Sequence, residues 1–208
     1  MSAVAAALVL VVALPAAHPV AGPVPFREVL RVDDLVVAER PRPGRAVNEV
    51  RAVGIVDAPA DAVWALVENV ERHTELLPDT TVSRVLGRTG EDTFVLQRSE
   101  PALLDPREYV IATRTTTTTL PTGAIARMLS WRASTAFADV IDRRAVHVTD
   151  NTGSVTVEAI DATRSRVTLQ ISIDPAGFVP PLLVNLAQTG GMAQALHALS
   201  MQARAARR

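Results

Sequence analysis

The chain has 208 residues, 48% of them apolar, and a formal net charge of −1 at neutral pH. That length suits one domain, or one domain with an export segment, and so small a charge gives no global field for nucleic acid or an acidic partner. Every basic side chain except histidine is arginine, cysteine is absent and aromatics make up 3%, which excludes disulfides and cysteine metal sites and leaves little from which to build a base-stacking platform.

The first residues, MSAVAAALVLVVALPAAHPVAG, carry no charged side chain. The apolar run Ser2–Ala17 is short for a membrane span, which takes ~20 residues, and matches the apolar region of a secretory signal. The expectation is an export signal over residues 1–21 and a periplasmic or secreted location, with an uncleaved N-terminal anchor as the alternative. Residues 22–32 read as a linker, punctuated by Pro23 and Pro25. The main domain is expected over 33–208.

Asp33-Asp34 is a turn signal, and Leu35–Arg40 reads as the first strand. Pro41–Gly44 turns the chain into a longer strand, Ala46–Val56. A helix is predicted from Pro59, where a missing N–H does no harm and Asp61 suits the positive end of the dipole. Val63, Val67 and Val70 recur at helical spacing, and Pro78 closes a second short helical piece holding Leu76 and Leu77. Thr81–Leu86 and Thr93–Gln97 then flank the turn GRTGED, a hairpin. Arg107–Thr119 is a long strand whose run Thr115–Thr119 reads as β-forming residues. Strands are also expected at Ser130–Ala138 and Ala145–Val148, then at Val155–Ile160 and Arg166–Ile173. In the last of these, Val167, Leu169, Ile171 and Ile173 alternate with polar residues, so one face is apolar. From Phe178 a helix runs to the end. Leu182, Leu186, Ala193 and Leu196 form its expected inner stripe, and Gly190-Gly191 either bends it or divides it.

This order predicts an α+β domain. One antiparallel sheet must bury its apolar face, and the terminal helix is the element long enough to cover it. Histidines 18, 73, 147 and 197 show no metal-ligand spacing, and no nucleophile, P-loop or dinucleotide motif occurs. No catalytic residue, metal or cofactor is expected.

Three strings carry a resemblance: DDLVVAERPRPGRAVNEVRAVGIVDAPADAVWALVENVERHTELLPD (33–79), REYVIATRT (107–115) and VHVTDNTGSVTVEAIDATRSRVTLQISIDPAGFVPPLLVNL (146–186). In order and spacing they resemble the START lipid-transfer domain family of the START/polyketide-cyclase (SRPBCC) superfamily. The resemblance implies a helix-grip fold, a curved antiparallel sheet wrapped around a long C-terminal helix with two short helices after an early strand. It also implies a cavity between sheet and helix for one hydrophobic molecule, a lipid, fatty-acyl or sterol-like ligand, bound and in some members transferred without chemistry. Polyketide aromatase/cyclases of the same superfamily are the enzymatic alternative. VENVERHTELLP resembles the coenzyme-Q-binding branch, a binding-module alternative.

Expected ligand-binding residues are Phe94, Tyr109, Arg114, Trp131, Phe137, Phe178, Leu182 and Leu186. Arg114, Tyr109 and Glu158 are the strand residues whose inward projection favours cyclase chemistry. Phe178–Gln188 is expected to move as a door. Burying a 16-carbon chain gains on the order of 12 kcal/mol gross at ~0.8 per methylene, which an open groove does not capture. The expected partner is that hydrophobic molecule, with no nucleic acid. Arg204, Arg207 and Arg208 suit the helix dipole and offer a transient membrane-surface contact.

Overall fold

The computed structural model describes residues 24–102 and 104–206. The segment expected as an export signal lies outside that range. The described chain opens with an antiparallel hairpin, β1 (Arg27–Val32) and β2 (Leu35–Arg40), turned at Asp33 with φ 49°. Aspartate tolerates that left-handed conformation. The expected linker over 22–32 therefore ends in a strand. β1 lies at the sheet edge, half exposed, and is held by Val29 and Leu30, which pack partly buried against the core, and by polar contacts. Arg31 pairs with Glu28 at 2.6 Å, and Arg27 pairs with Glu39.

β3 (Glu49–Val56) alternates half-buried and buried residues along its whole length. Helix α1 (Ala60–Glu68) follows, its first bonds accepted by the Pro59 carbonyl. Val63, Trp64, Leu66 and Val67 face the core. A 3₁₀ helix, Val70–Glu75, and the Leu76–Pro78 corner complete the expected second helical piece. The hairpin β4 (Thr80–Thr89) and β5 (Asp92–Ser99) leads to β6 (Arg107–Thr119).

β7 is Ile125–Ala133, not Ser130–Ala138. A tight turn, with Gly123 at φ 82° and its N–H donating to the Leu120 carbonyl, starts the strand early. Beyond Ala133 the chain leaves the sheet, and Phe137 is left-handed at φ 58°. Two residues, Val146–His147 (β8), return parallel to β6. β9 (Asp150–Ala159) and β10 (Ser165–Asp174) form the last hairpin. Helix α2 (Pro181–Ala205) is a single helix through Gly190-Gly191.

The strand order is β1-β2-β3-β10-β9-β7-β6-β5-β4, with β8 beside β6. All pairs except β6–β8 are antiparallel. Register shifts in β4, at Thr80/Val82 and Val85/Gly87, mark bulges that bend the strand. This is the helix-grip architecture, an open antiparallel sheet of ten strands among the described residues gripping a long C-terminal helix.

The core sits between the inner sheet face, α1 and the C-terminal half of α2. Val50, Ala52 and Val167 of the sheet meet Met192, Leu196 and Leu199 of the helix. The buried stripe of α2 is Val184, Gln188, Met192, Ala195, Leu199 and Ala203, joined by Leu196. That stripe is two residues out of phase with the Leu182–Leu186 start expected from the sequence. The first turn, 181–184, is apolar all round, so hydrophobicity does not fix its phase; the packed C-terminal half does. No described helix is long and apolar enough to cross a membrane.

Candidate functional site

A cavity of about 210 Å³ lies between the inner sheet face and α2. Strand parity decides what faces it. On β6, Tyr109, Ile111 and Thr113 point inward; on β7, Leu129 and Trp131 do. β9 supplies Asn151 and Val155, and β10 supplies Val167, Leu169 and Ile171. Leu76, Leu77 and Pro78 close one side, and Gln188, Gly191, Met192 and Leu196 of α2 roof it. The wall is chiefly aliphatic. Among the described residues no carboxylate or guanidinium lines it.

Polar groups enter at two places. Gln97 and Tyr109 are direct partners across β5 and β6, so they share the inner face. Ser83 Oγ donates to the Val70 carbonyl at 2.6 Å, and Gln97 Nε2 donates to Ser83 Oγ at 3.1 Å. His73 Nε2 donates to the Val67 carbonyl at 2.9 Å, leaving Nδ1 as an acceptor 3.5 Å from Gln97 Nε2. Burial pushes the His73 imidazole below its ordinary value, opposed by that bond to Val67, and the ring stays neutral. Burial pushes the Tyr109 phenol up to about 12.

The second place is on β9, β10 and α2. Trp131 Nε1 donates to Asn151 Oδ1 at 2.8 Å. Asn151 pairs with Ile173, whose carbonyl accepts from Gln188 Nε2 at 3.2 Å. The other amide atom, Gln188 Oε1, is buried without a partner.

Of the expected site residues, Tyr109 and Trp131 line this cavity. Phe94 and Phe137 do not. They pack on each other with centroids 5.5 Å apart, and Phe137 reaches over Gly87 of β4. Arg114 pairs with Asp92 at 3.0 Å and Glu91 at 3.1 Å, lining a separate polar depression with Arg88 and Glu71. Its number differs from 109 by an odd count, so on one strand the two residues take opposite faces. Glu158 pairs with Arg166 at 3.4 Å. Arg114, Tyr109 and Glu158 therefore do not assemble into an inward cluster. Phe178 is fully exposed, and Leu182 and Leu186 are 69% and 62% exposed. None of these three lines the cavity.

Gln97, Asn151 and Gln188 were not legible as site residues. Amides read as surface until pairing and helix phase are known. For Gln188 a signal exists, since it falls four residues from both Val184 and Met192.

A family model described as polyketide cyclase / dehydrase and lipid transport matches residues 56–200. The chain belongs to this family. Comparison with curated proteins finds no match by sequence. Among solved structures, the STAR-related lipid transfer protein from Xanthomonas axonopodis is similar with a TM-score of 0.72 at 20% identity, covering 86% of this chain and 98% of that one. Human StAR-related lipid transfer protein 5 is similar with a TM-score of 0.75 at 16% identity, covering 88% of each chain. A START superfamily protein from Mycobacterium smegmatis gives 0.51 at 14% identity, over 75% of this chain and 97% of that one. At these identities the likeness establishes the START fold. Together with the family match, it supports hydrophobic-ligand binding as a property of the superfamily.

Proposed function

We propose that this protein binds one hydrophobic molecule, a lipid, non-covalently in the cavity under α2 and releases it intact. The observation that carries the reading is the mainly aliphatic, partly open space roofed by Gln188, Met192 and Leu196. At about 210 Å³ it is smaller than the ~300–1,000 Å³ usual for a drug-sized ligand. A long chain therefore requires α2 to swing outward at its start.

The start of α2 is built for that movement. Its C-terminal half is anchored by Met192, Leu196 and Leu199, whereas Val184 and Gln188 are the buried side chains of its first two turns. Among the described residues, the Asn48 N–H also holds this end, donating to Asn185 Oδ1 at 3.1 Å. Ala176 and Gly177, at φ 56° and 71°, form the preceding turn. The exposed apolar side chains of Phe178, Leu182 and Leu186, before and within the start of α2, suit brief contact with a lipid surface during exchange. In the arginine tail, Arg204 is engaged by Asp57 at 2.6 Å. Export through the apolar N-terminus is part of the proposal and rests on the run Ser2–Ala17.

Hydrogen exchange with and without bound lipid tests the mechanism. Residues 178–192 are expected to gain protection on loading. Unchanged exchange there, in protein shown to be loaded, contradicts a moving helix start. An intact Met1 on the soluble protein contradicts cleavage of an export signal.

A further inference from the structure

This inference rests on reading the cavity as a ligand site, and it concerns the shape of the molecule admitted. Across β6, β7, β9 and β10 the pairing sets Thr113, Trp131, Gly153 and Ile171 in one row of the inner face. Leu129, Val155 and Leu169 form the next row. Gly153 leaves a gap in this floor, and the indole of Trp131 fills it, since a Cβ on Gly153 would overlap the ring. The half-buried Trp131 is part of the cavity wall.

The indole is fixed where its aliphatic neighbours are not. Its strand is hydrogen-bonded on both sides, by β6 and β9, and Nε1 donates to Asn151 Oδ1 at 2.8 Å. Rotating the ring off the floor breaks that bond and leaves an N–H unpaired in an apolar space. Leu129, Leu169 and Met192 change rotamer without losing a hydrogen bond. Lifting the start of α2 lengthens the space but leaves the floor where it is, and Met192, Leu196 and Leu199 hold the rest of the roof. The room gained is therefore length, which suits a chain and not a broad body.

We propose that Trp131 determines specificity by fixing the depth of the cavity floor, so that the site takes a single unbranched hydrocarbon chain and rejects fused rings. A chain adjusts its torsions to the fixed indole. A fused-ring body has none to adjust, and forcing it against a rigid wall carries the cost of overpacking. The substrate class is then a single-chain amphiphile, and sterol-like molecules are excluded.

The test uses the full chain and two ten-carbon alcohols of different width, 1-decanol and the fused-ring decahydro-2-naphthol. Isothermal titration calorimetry gives both affinities. The unaltered protein is expected to bind 1-decanol at least about tenfold more tightly. Trp131→Val keeps a strand-forming residue and deepens the floor, and it is expected to bring that ratio below about threefold. Trp131→Phe is expected to give an intermediate ratio. Trp64→Phe, at a tryptophan buried on α1 that does not line the cavity, is expected to leave the ratio unchanged within about twofold. A loss of stability alone weakens both alcohols together, so an unchanged ratio in Trp131→Val overturns the proposal. So does equal or tighter binding of decahydro-2-naphthol by the unaltered protein, or the same fall in Trp64→Phe. If Trp131→Val does not fold, Trp131→Phe decides, and an unchanged ratio there overturns the proposal. If neither alcohol binds the unaltered protein, the ligand-site reading fails and this inference with it. Binding of both without the preference overturns this inference alone.

Discussion

The indole of Trp131 lies across Gly153, its partner on the neighbouring strand β9. A Cβ at Gly153 would overlap both that ring and the Gln170 carbonyl. The glycine is needed for close approach, not for an unusual φ. It lets the indole lie flat on the sheet and reach Asn151 Oδ1 at 2.8 Å. Gly153→Ala is expected to destabilise the protein by about 1–3 kcal/mol, the usual penalty for forced overpacking, and to alter tryptophan emission. Chemical denaturation measures the first, and an unchanged midpoint contradicts the packing described.

Gly190 is the opposite case. A Cβ there meets nothing within 4 Å, and at Gly191 the nearest atom is Pro78 Cγ at an ordinary 3.6 Å. Neither glycine is required by packing, yet each weakens the helix by about 1 kcal/mol against alanine. Gly190→Ala is expected to raise the melting temperature by roughly 2–4 °C and to slow lipid uptake. Stopped-flow uptake at an unaltered rate contradicts a role for helix softness in opening.

His73 gives a pH dependence. The folded protein holds the imidazole neutral, below the ordinary 6.5, while the unfolded chain takes up a proton below that value. The unfolded state then binds more protons, so stability falls as pH is lowered through about 6.5 and levels off below the folded value. Carboxylates with depressed values, such as Asp92 and Asp142, lose their contribution only at lower pH. Urea unfolding between pH 7.5 and 5.5 is expected to show the decline, and His73→Gln to flatten it. Parallel profiles contradict a neutral, buried His73.

Arg114→Ala is expected to leave lipid affinity unchanged within about twofold and stability within about 1 kcal/mol, as for other exposed ion pairs. Its partners Asp92 and Glu91 lie away from the cavity. A large loss of affinity contradicts that placement.

These cases show why the fold was more legible than the site. Alternation in Val167–Ile173, the proline-bounded helix at Ala60 and the β-branched run of β6 are local signals. The grip of sheet on helix follows from them. The site depends on which face is inner and on the phase of α2, and both are set by pairing across the sheet. Parity alone separates Arg114 from Tyr109, but it does not say which of them is inside. Size alone does not place a side chain: Phe94, Phe137 and Phe178 lie off the cavity, whose wall is mainly aliphatic residues and amides joined by His73, Tyr109 and Trp131. Leu182 and Leu186 followed the helical period and still face solvent, because the helix start packs against little.

The central claim is an apolar space under α2 that holds one lipid. Native mass spectrometry of the protein mixed with 1-decanol reads it directly, using Ala195→Phe, which places a ring into the cavity roof, as the comparison. The account predicts a one-to-one complex with the unaltered protein and none with the variant, both keeping the same circular dichroism. Equal binding by the two, or several molecules bound without saturation, would contradict it.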